Sequence, residues 1–171
     1  YSFEHFYDEE KAMFYFTSNL DSKLVTRTIE YRDNVISSSN SIMAKNLFKL
    51  SHYFDIPKYR TTSDQMLKNV VPDATKYPSV FSNWLDLLEN HQFNYYEIVV
   101  AGPQALEKLK ELQQYYIPNA LLAGSDKESD SYLLEGRFPE DETLVYVCVN
   151  NACRLPVTSV KEALKTLKIS E

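Results

Sequence analysis

The chain is short of the residues that make a function legible. It has three glycines, two cysteines and three histidines in 171 residues. No G-x-G-x-x-G or G-K-[ST] sequence is present, so neither a dinucleotide fingerprint nor a P-loop is written here. No G-x-S-x-G marks a nucleophile elbow. His5, His52 and His91 are not paired at ligand spacing, which argues against a zinc site. Two cysteines are too few for a disulfide scaffold, and Cys148 and Cys153 are not in the C-x-x-C spacing of a thioredoxin active site. Apolar runs fall far short of the about 20 residues that span a bilayer, and no signal peptide is visible. Acidic and basic residues are interspersed around a net charge of −6, with no basic stripe. That excludes an electrostatic footprint for nucleic acid or a membrane surface. The expectations are therefore no nucleic acid, no membrane, no metal and no cofactor, with a cytoplasmic location as the default.

What is present is a core. Hydrophobic residues make up 44% of the chain and aromatics 13%, which fits a folded domain rather than a disordered one. The start, "YSFEHFYDEEKAMFYF", has no initiator Met and reads as part of something longer. The runs 13–18 and 27–32 are β-rich and separated by the polar "NLDSK", which predicts a short hairpin. "SSSNS" at 37–41 supplies helix caps. Met43, Leu47, Leu50 and Phe54 then recur at helical spacing, up to Pro57. A second helix is predicted over 58–71, with Tyr59, Met66, Leu67 and Val70 inward and Pro72 as its stop. A third follows Pro78, with Phe81, Trp84, Leu85 and Leu88 on one face. Short links between them suggest antiparallel helical hairpins.

At about residue 94 the pattern changes. "YYEIVVAG" reads as a strand buried on both faces. Gly102 and Pro103 open a helix, with Pro103 at its first position and Ala105, Leu109, Leu112 and Tyr116 inward. "NALLAG" and "TLVYVCV" are two more strands, with a solvated loop at 125–131. Ser159 and Glu162 form a capping-box pattern before a last helix lined by Val160, Ala163, Leu164 and Leu167. The reading is α+β: a helical-hairpin region over 1–93 with an N-terminal β-hairpin, then a small α/β layer over 94–171 with a mostly parallel sheet.

Several stretches carry candidate chemistry, each beside a plainer reading. Cys148 lies on a strand apolar on both faces, so burial as a small hydrophobe is the first expectation. The "NNA" that follows can turn the chain, which leaves a disulfide or redox pair open; half a metal site would need two more ligands. "VVAGPQ" places one glycine where a helix N-terminus holds anions, yet reads more simply as a tight βα turn. Asp33, Ser38, Asn40 and Ser41 cluster before a helix, as its cap or as the polar rim of a pocket. Tyr7, Tyr15, Phe16 and Trp84 are candidates for stacking on sugar rings, though aromatics at helical spacing are more often core. Asp8, Glu9, Glu10, Asp33 and Asp86 show no pattern specific to glycosidases. Asp126, Glu128 and Asp130 alternate without completing a calcium loop.

Taken together, "DNVISSSNSIMAKNLFKLSHYF", "YPSVFSNWLDLL", "YYEIVVAGPQAL", "YYIPNALLAGS" and "VYVCVNNACRLPVTS" resemble the C-terminal part of the large thioredoxin-domain-containing proteins of the spermatogenesis-associated type. In that family a thioredoxin-like domain precedes an (α/α)6 toroid similar to six-hairpin glycosidases and N-acylglucosamine 2-epimerases. The most specific match is the ending C-x4-C-x-x-P-[VT]-T. The family's D-G-A-I-P-S-G-N-S pattern matches at Asp33, Ile36, Ser38, Asn40 and Ser41; Ser37 and Ser39 replace its Pro and second Gly. The resemblance implies that the helical hairpins are part of an α/α toroid. It also implies that the chain is a C-terminal fragment, inactive alone, that contributes to carbohydrate binding or processing in the intact protein. A carbohydrate and the missing N-terminal thioredoxin-like domain become the implied partners. Asp33, Ser38, Asn40, Ser41 and Trp84 become substrate-binding candidates. The alternatives are a protein-interaction or structural module, or a thiol-redox role through Cys148 and Cys153; catalytic residues are not assignable.

Overall fold

The computed structural model describes residues 1–22 and 26–167. The chain divides into two compact units, Tyr1–Gln92 and Phe93–Glu171. The architecture is α+β.

The first unit opens on a short helix, α1 (Ser2–His5), and a hairpin of β1 (Tyr7–Asp8) with β2 (Met13–Phe14). Its turn is held by Asp8, whose Oδ1 accepts from the backbone N–H groups of Glu10 and Lys11, both at 3.0 Å. This hairpin replaces the expected pairing of 13–18 with 27–32. Residues 27–32 form no strand, because their carbonyls are taken singly: Thr28 O accepts from Phe16 N, Glu30 O from the Asn40 amide and Tyr31 O from the Trp84 indole.

Three longer helices follow. α2 (Ser39–Phe54) and α3 (Pro57–Lys76) form a helical hairpin across a two-residue link, and α4 (Ser82–Gln92) packs on both. The buried stripe of α2 is Ala44, Leu47, Phe48, Ser51 and His52, which fits the i, i+3, i+4, i+7, i+8 pattern throughout. The expected stripe through Leu50 and Phe54 is rotated from it. Both of those lie exposed, because Ser51 and His52 take core positions that an apolar template passes over. α3 also runs through Pro72 to Lys76 rather than stopping there. Beyond the proline, Ala74 is buried, and Asp73 carries a bond from the Tyr31 hydroxyl at 3.0 Å, so the last turn is held from outside. In α4 the core is filled by Trp84 and Leu87, behind Phe81, with Leu85 and Leu88 only half-buried.

The second unit is a four-stranded sheet with two helices: β3 (Tyr96–Ala101), α5 (Ala105–Leu112), β4 (Ala120–Ser125), β5 (Leu144–Val149), β6 (Ala152–Cys153) and α6 (Val160–Thr166). The strand order is β4-β3-β5-β6. The β3-α5-β4 segment forms the expected parallel pair. The sheet as a whole is mixed rather than mostly parallel, because β5 runs antiparallel to β3, and β6 to β5. The return loop supplies the reason. Thr143 Oγ1 accepts from Gln104 N at 2.8 Å, so the loop re-enters at the end of the sheet where β3 finishes. A strand starting there must run back.

Ile98, Val100, Val145 and Val147 pack with Ala105 and Leu112 of α5 and with Val160, Ala163 and Leu164 of α6. Burying each of the larger of these stabilises the unit by about 1.5–3 kcal/mol. α5 begins at Ala105, two residues beyond Pro103, and Tyr116 lies outside it, exposed. Gly102, at φ +126°, makes the turn; a Cβ there would meet Glu142 O at 2.1 Å. The Gln104 N–H is already satisfied by Thr143, so this stretch is a tight βα turn closed from within.

Candidate functional site

The residues around Asp33 form one hydrogen-bonded latch. Asp33 Oδ1 accepts from Ser41 Oγ at 2.7 Å and from Ser38 N at 3.0 Å; Oδ2 accepts from Asn83 N at 2.9 Å. Its own N–H donates to Val80 O at 2.9 Å. The carboxylate thereby ties the entry of α2 to the entry of α4. Burial pushes the Asp33 pKa upward, but the bonds from Ser41, Ser38 and Asn83 outweigh it and hold the carboxyl below the usual range. Ser38 is the N-cap of α2, accepting from Ser41 N at 3.1 Å. Asn40 reaches the other way. Its Oδ1 accepts from Phe14 N, and its Nδ2 donates to Phe14 O and Glu30 O, all at 2.8 Å.

The cap reading of 33–41 therefore describes what these side chains do. Asp33, Ser38, Asn40 and Ser41 are buried and bonded to their own chain. Trp84 is 0% exposed and donates its indole N–H to Tyr31 O at 2.7 Å, so its ring packs in the core with no face open for stacking. Of the five, only Asp33 reaches the wall of an open groove of about 740 Å3, whose other lining is Ile29, Glu30, Tyr31, Arg32, Asn34 and Val80. Exposed Glu30 and Arg32 lie in the 27–32 run expected as a strand, and exposed Asn34, next to Asp33, is not among the sequence candidates.

The other aromatic candidates serve the N-terminal hairpin. Tyr7 packs against Phe3 and Phe14. Tyr15 donates its hydroxyl to Asp8 Oδ2 at 2.6 Å while its ring lies 4.1 Å from the Arg27 guanidinium. Phe16 is exposed.

The cysteines are joined. Cys148 and Cys153 are directly opposed on β5 and β6, with Cα atoms 3.9 Å apart, and form a disulfide. Asn150 and Asn151 make the two-residue turn between them, both at positive φ (49° and 62°), a conformation asparagine tolerates and a type I′ hairpin requires. Cys148 is buried, whereas Cys153 is exposed. On the other side of Cys148, its directly opposed residue on β3 is Glu97, 1% exposed. Glu97, Cys148 and Cys153 thus form one row on one face of the sheet. The sequence hid Glu97 inside an apolar run; the antiparallel β3–β5 register places it beside the cysteine. Among the described residues, no group of three or more His, Cys, Asp or Glu side chains is placed to hold a metal ion, and no helix is long and apolar enough to cross a membrane.

No protein-family model matches the chain. It is 28% identical over 166 residues to spermatogenesis-associated protein 20 of Homo sapiens, an alignment covering 90% of this chain and 21% of the relative. The chain is homologous to spermatogenesis-associated protein 20. The counterparts in Mus musculus and Rattus norvegicus match at the same 28% identity and coverage. The chain spans about a fifth of the length of these spermatogenesis-associated protein 20 relatives.

Proposed function

We propose that this chain acts as the C-terminal part of a larger protein and that its Cys148–Cys153 pair exchanges with a protein dithiol there. The observation that carries this reading is the asymmetry of the bond: one half faces solvent and the other is buried beside Glu97. A thiolate of the dithiol attacks exposed Cys153 Sγ. The Cys148–Cys153 bond breaks and a mixed disulfide forms, while Cys148 leaves as a thiolate that takes up a proton. The second thiol of the dithiol then attacks the mixed disulfide and frees Cys153. The dithiol ends as a disulfide and this chain as two thiols, a two-electron exchange. The implied thioredoxin-like domain of the intact protein would be such a dithiol. The test is graded reduction of the native chain with dithiothreitol followed by alkylation. Reduction without unfolding, with Cys153 alkylated before Cys148, supports exchange. A bond that is reduced only in denaturant makes the pair purely structural.

A second reading, carbohydrate binding in the intact protein, is favoured by the groove beside Asp33. Glu30, Arg32 and Asn34 offer both donors and acceptors along an open channel lined by Tyr31, on a backbone fixed by the Asp33 latch. A monosaccharide panel titrated against the backbone amide signals of residues 29–34 tests it. Saturable shifts lost in Arg32→Ala support it, and a flat response across the panel removes it.

A further inference from the structure

The disulfide sits at the rim of the sheet, and the ladder fixes which way its backbone points. β6 is the last strand of the order β4-β3-β5-β6. Cys148 opposes Glu97 on one side and Cys153 on the other. Arg154 N donates to Val147 O at 3.0 Å, so Val147 and Arg154 form a hydrogen-bonded pair that extends the β5–β6 ladder. In an antiparallel ladder such pairs alternate with pairs that exchange no backbone bonds. Cys148 and Cys153 are therefore a non-bonded pair. The N–H and C=O of Cys153 face away from β5, toward the open edge, and no described residue bonds to either.

This open stretch of edge is short. Cys148 pairs with Cys153, whereas Val145 pairs with Val157. Arg154, Leu155 and Pro156 thus oppose only Tyr146 and Val147, which makes a β-bulge. Pro156 within it has no N–H to offer. Bulges and edge prolines deter indiscriminate strand pairing. The edge is guarded in this way beyond Cys153 but not at it, and residues 150–156 are exposed throughout.

The same row directs the chemistry. A thiolate attacks a disulfide sulfur from the side opposite the leaving sulfur. For Cys153 Sγ the leaving sulfur belongs to Cys148, one strand inward, so the attacking sulfur comes from one strand outward. A strand hydrogen-bonded to Cys153 would hold its facing residue with the two Cα atoms about 5.5 Å apart. That lies inside the span of about 4.4–6.8 Å that a disulfide bridges. A cysteine there becomes the fourth member of the row Glu97, Cys148, Cys153, on the same face of the sheet.

We propose that the partner dithiol in the thiol exchange proposed above presents its attacking cysteine on an extended segment that pairs antiparallel with β6. The N–H of that cysteine donates to Cys153 C=O, and its C=O accepts from Cys153 N–H, a strand-addition mode of recognition. Its thiolate attacks Cys153 Sγ and forms a mixed disulfide; the Cys148–Cys153 bond breaks, and Cys148 leaves inward as a thiolate that takes up a proton. The partner's second thiol then frees Cys153, so the partner is oxidised by two electrons and this chain is reduced by two. The docking rests on that exchange, and one experiment separates the two.

The native 171-residue chain is reduced with the dithiol peptide acetyl-Cys-Gly-Asn-Thr-Val-Cys-Val-Thr-amide, whose second cysteine lies in a β-prone stretch. Loss of the Cys148–Cys153 bond is followed by mass after acid quenching. Two further peptides carry one N-methyl group each, on the second cysteine or on the valine after it. The first lacks the N–H that pairs with Cys153 C=O; the second lacks an N–H that points away from β6. Each rate is divided by the same peptide's rate with hydroxyethyl disulfide, which removes differences in thiol reactivity. The cysteine-methylated peptide is expected to react about tenfold more slowly than the parent, the effect of one good hydrogen bond, and the valine-methylated peptide to match the parent. Equal rates for all three, or equal slowing by both methyl groups, with the bond reduced in the folded chain, would overturn strand docking and leave the exchange standing. A bond that neither the peptides nor dithiothreitol opens without denaturant would overturn both.

Discussion

Asn40 holds Phe14 as a neighbouring strand would: its side-chain oxygen takes the Phe14 N–H and its amide nitrogen donates to the Phe14 carbonyl, both at 2.8 Å. One side chain at the start of α2 thereby satisfies the backbone of β2. Asn40→Ala leaves buried backbone groups without partners and is expected to cost about 2–4 kcal/mol, since each orphan costs about 1–3. Asn40→Asp keeps the acceptor but loses the donors to Phe14 O and Glu30 O, and is expected to destabilise as well. Urea midpoints of the two variants against the parent chain measure both effects; a change below about 0.5 kcal/mol, ordinary for surface positions, would show that the pairing carries little energy.

Asp33 sets the acid stability of the same unit. Its carboxyl is held below the usual range by bonds from Ser41, Ser38 and Asn83 that exceed the opposing effect of burial. A folded-state pKa below the unfolded value of about 3.9 gives stability that is fully present above that pH. The stability is lost as pH falls through the folded value. Asp33→Asn turns an amide toward three donors, and should cost about 2 kcal/mol near neutrality while flattening the acid limb below about pH 4. Unfolding free energy measured across that range, in parent and variant, checks both the size and the slope.

These two residues show what the sequence could and could not reveal. The cap chemistry of 33–41 was legible because Ser, Asp and Asn before an apolar-periodic segment satisfy orphan N–H groups wherever they occur. Their partners were not legible, since Phe14, Glu30 and Asn83 are distant in the chain. In the sheet unit the inner face of α6 was read correctly at all four positions, Val160, Ala163, Leu164 and Leu167, because every core residue there is apolar. In α2 the same method placed Leu47 correctly but took exposed Leu50 and Phe54 in place of Ser51 and His52, core residues with polar side chains. Glu97 escaped for a related reason: one carboxylate in an apolar strand says nothing until β5 is laid beside it.

His91 gives the helical unit a second pH dependence. Burial draws its pKa down; Asp64 opposes this, while Arg60, His52 and Lys68 add to the lowering. The folded state therefore resists protonation that the unfolded chain accepts at about 6.5. Stability is full above that pH, and falls as pH drops below it until folded His91 is itself protonated. His91→Gln, which cannot take up the proton, should remove the part of the slope that sets in as pH falls below about 6.5. Thermal midpoints of parent and variant over this window decide the matter: parallel curves would assign the slope to other groups.

The disulfide makes a prediction that separates its two halves. It closes a short loop, so chain entropy gives about 2 kcal/mol of stabilisation by the loop-length relation. Cys153→Ser frees a buried thiol at Cys148 and places a hydroxyl on the exposed β6, and should cost little beyond that. Cys148→Ser instead buries a hydroxyl in the sheet beside Glu97, and should cost about 1–3 kcal/mol more. Thiol reactivity should show the same asymmetry: in Cys148→Ser the remaining Cys153 is modified at once in the native chain, whereas in Cys153→Ser the remaining Cys148 waits for unfolding. Equal reaction rates in the two variants would mean that the sheet does not shield Cys148, and the asymmetry on which thiol exchange is proposed would be lost.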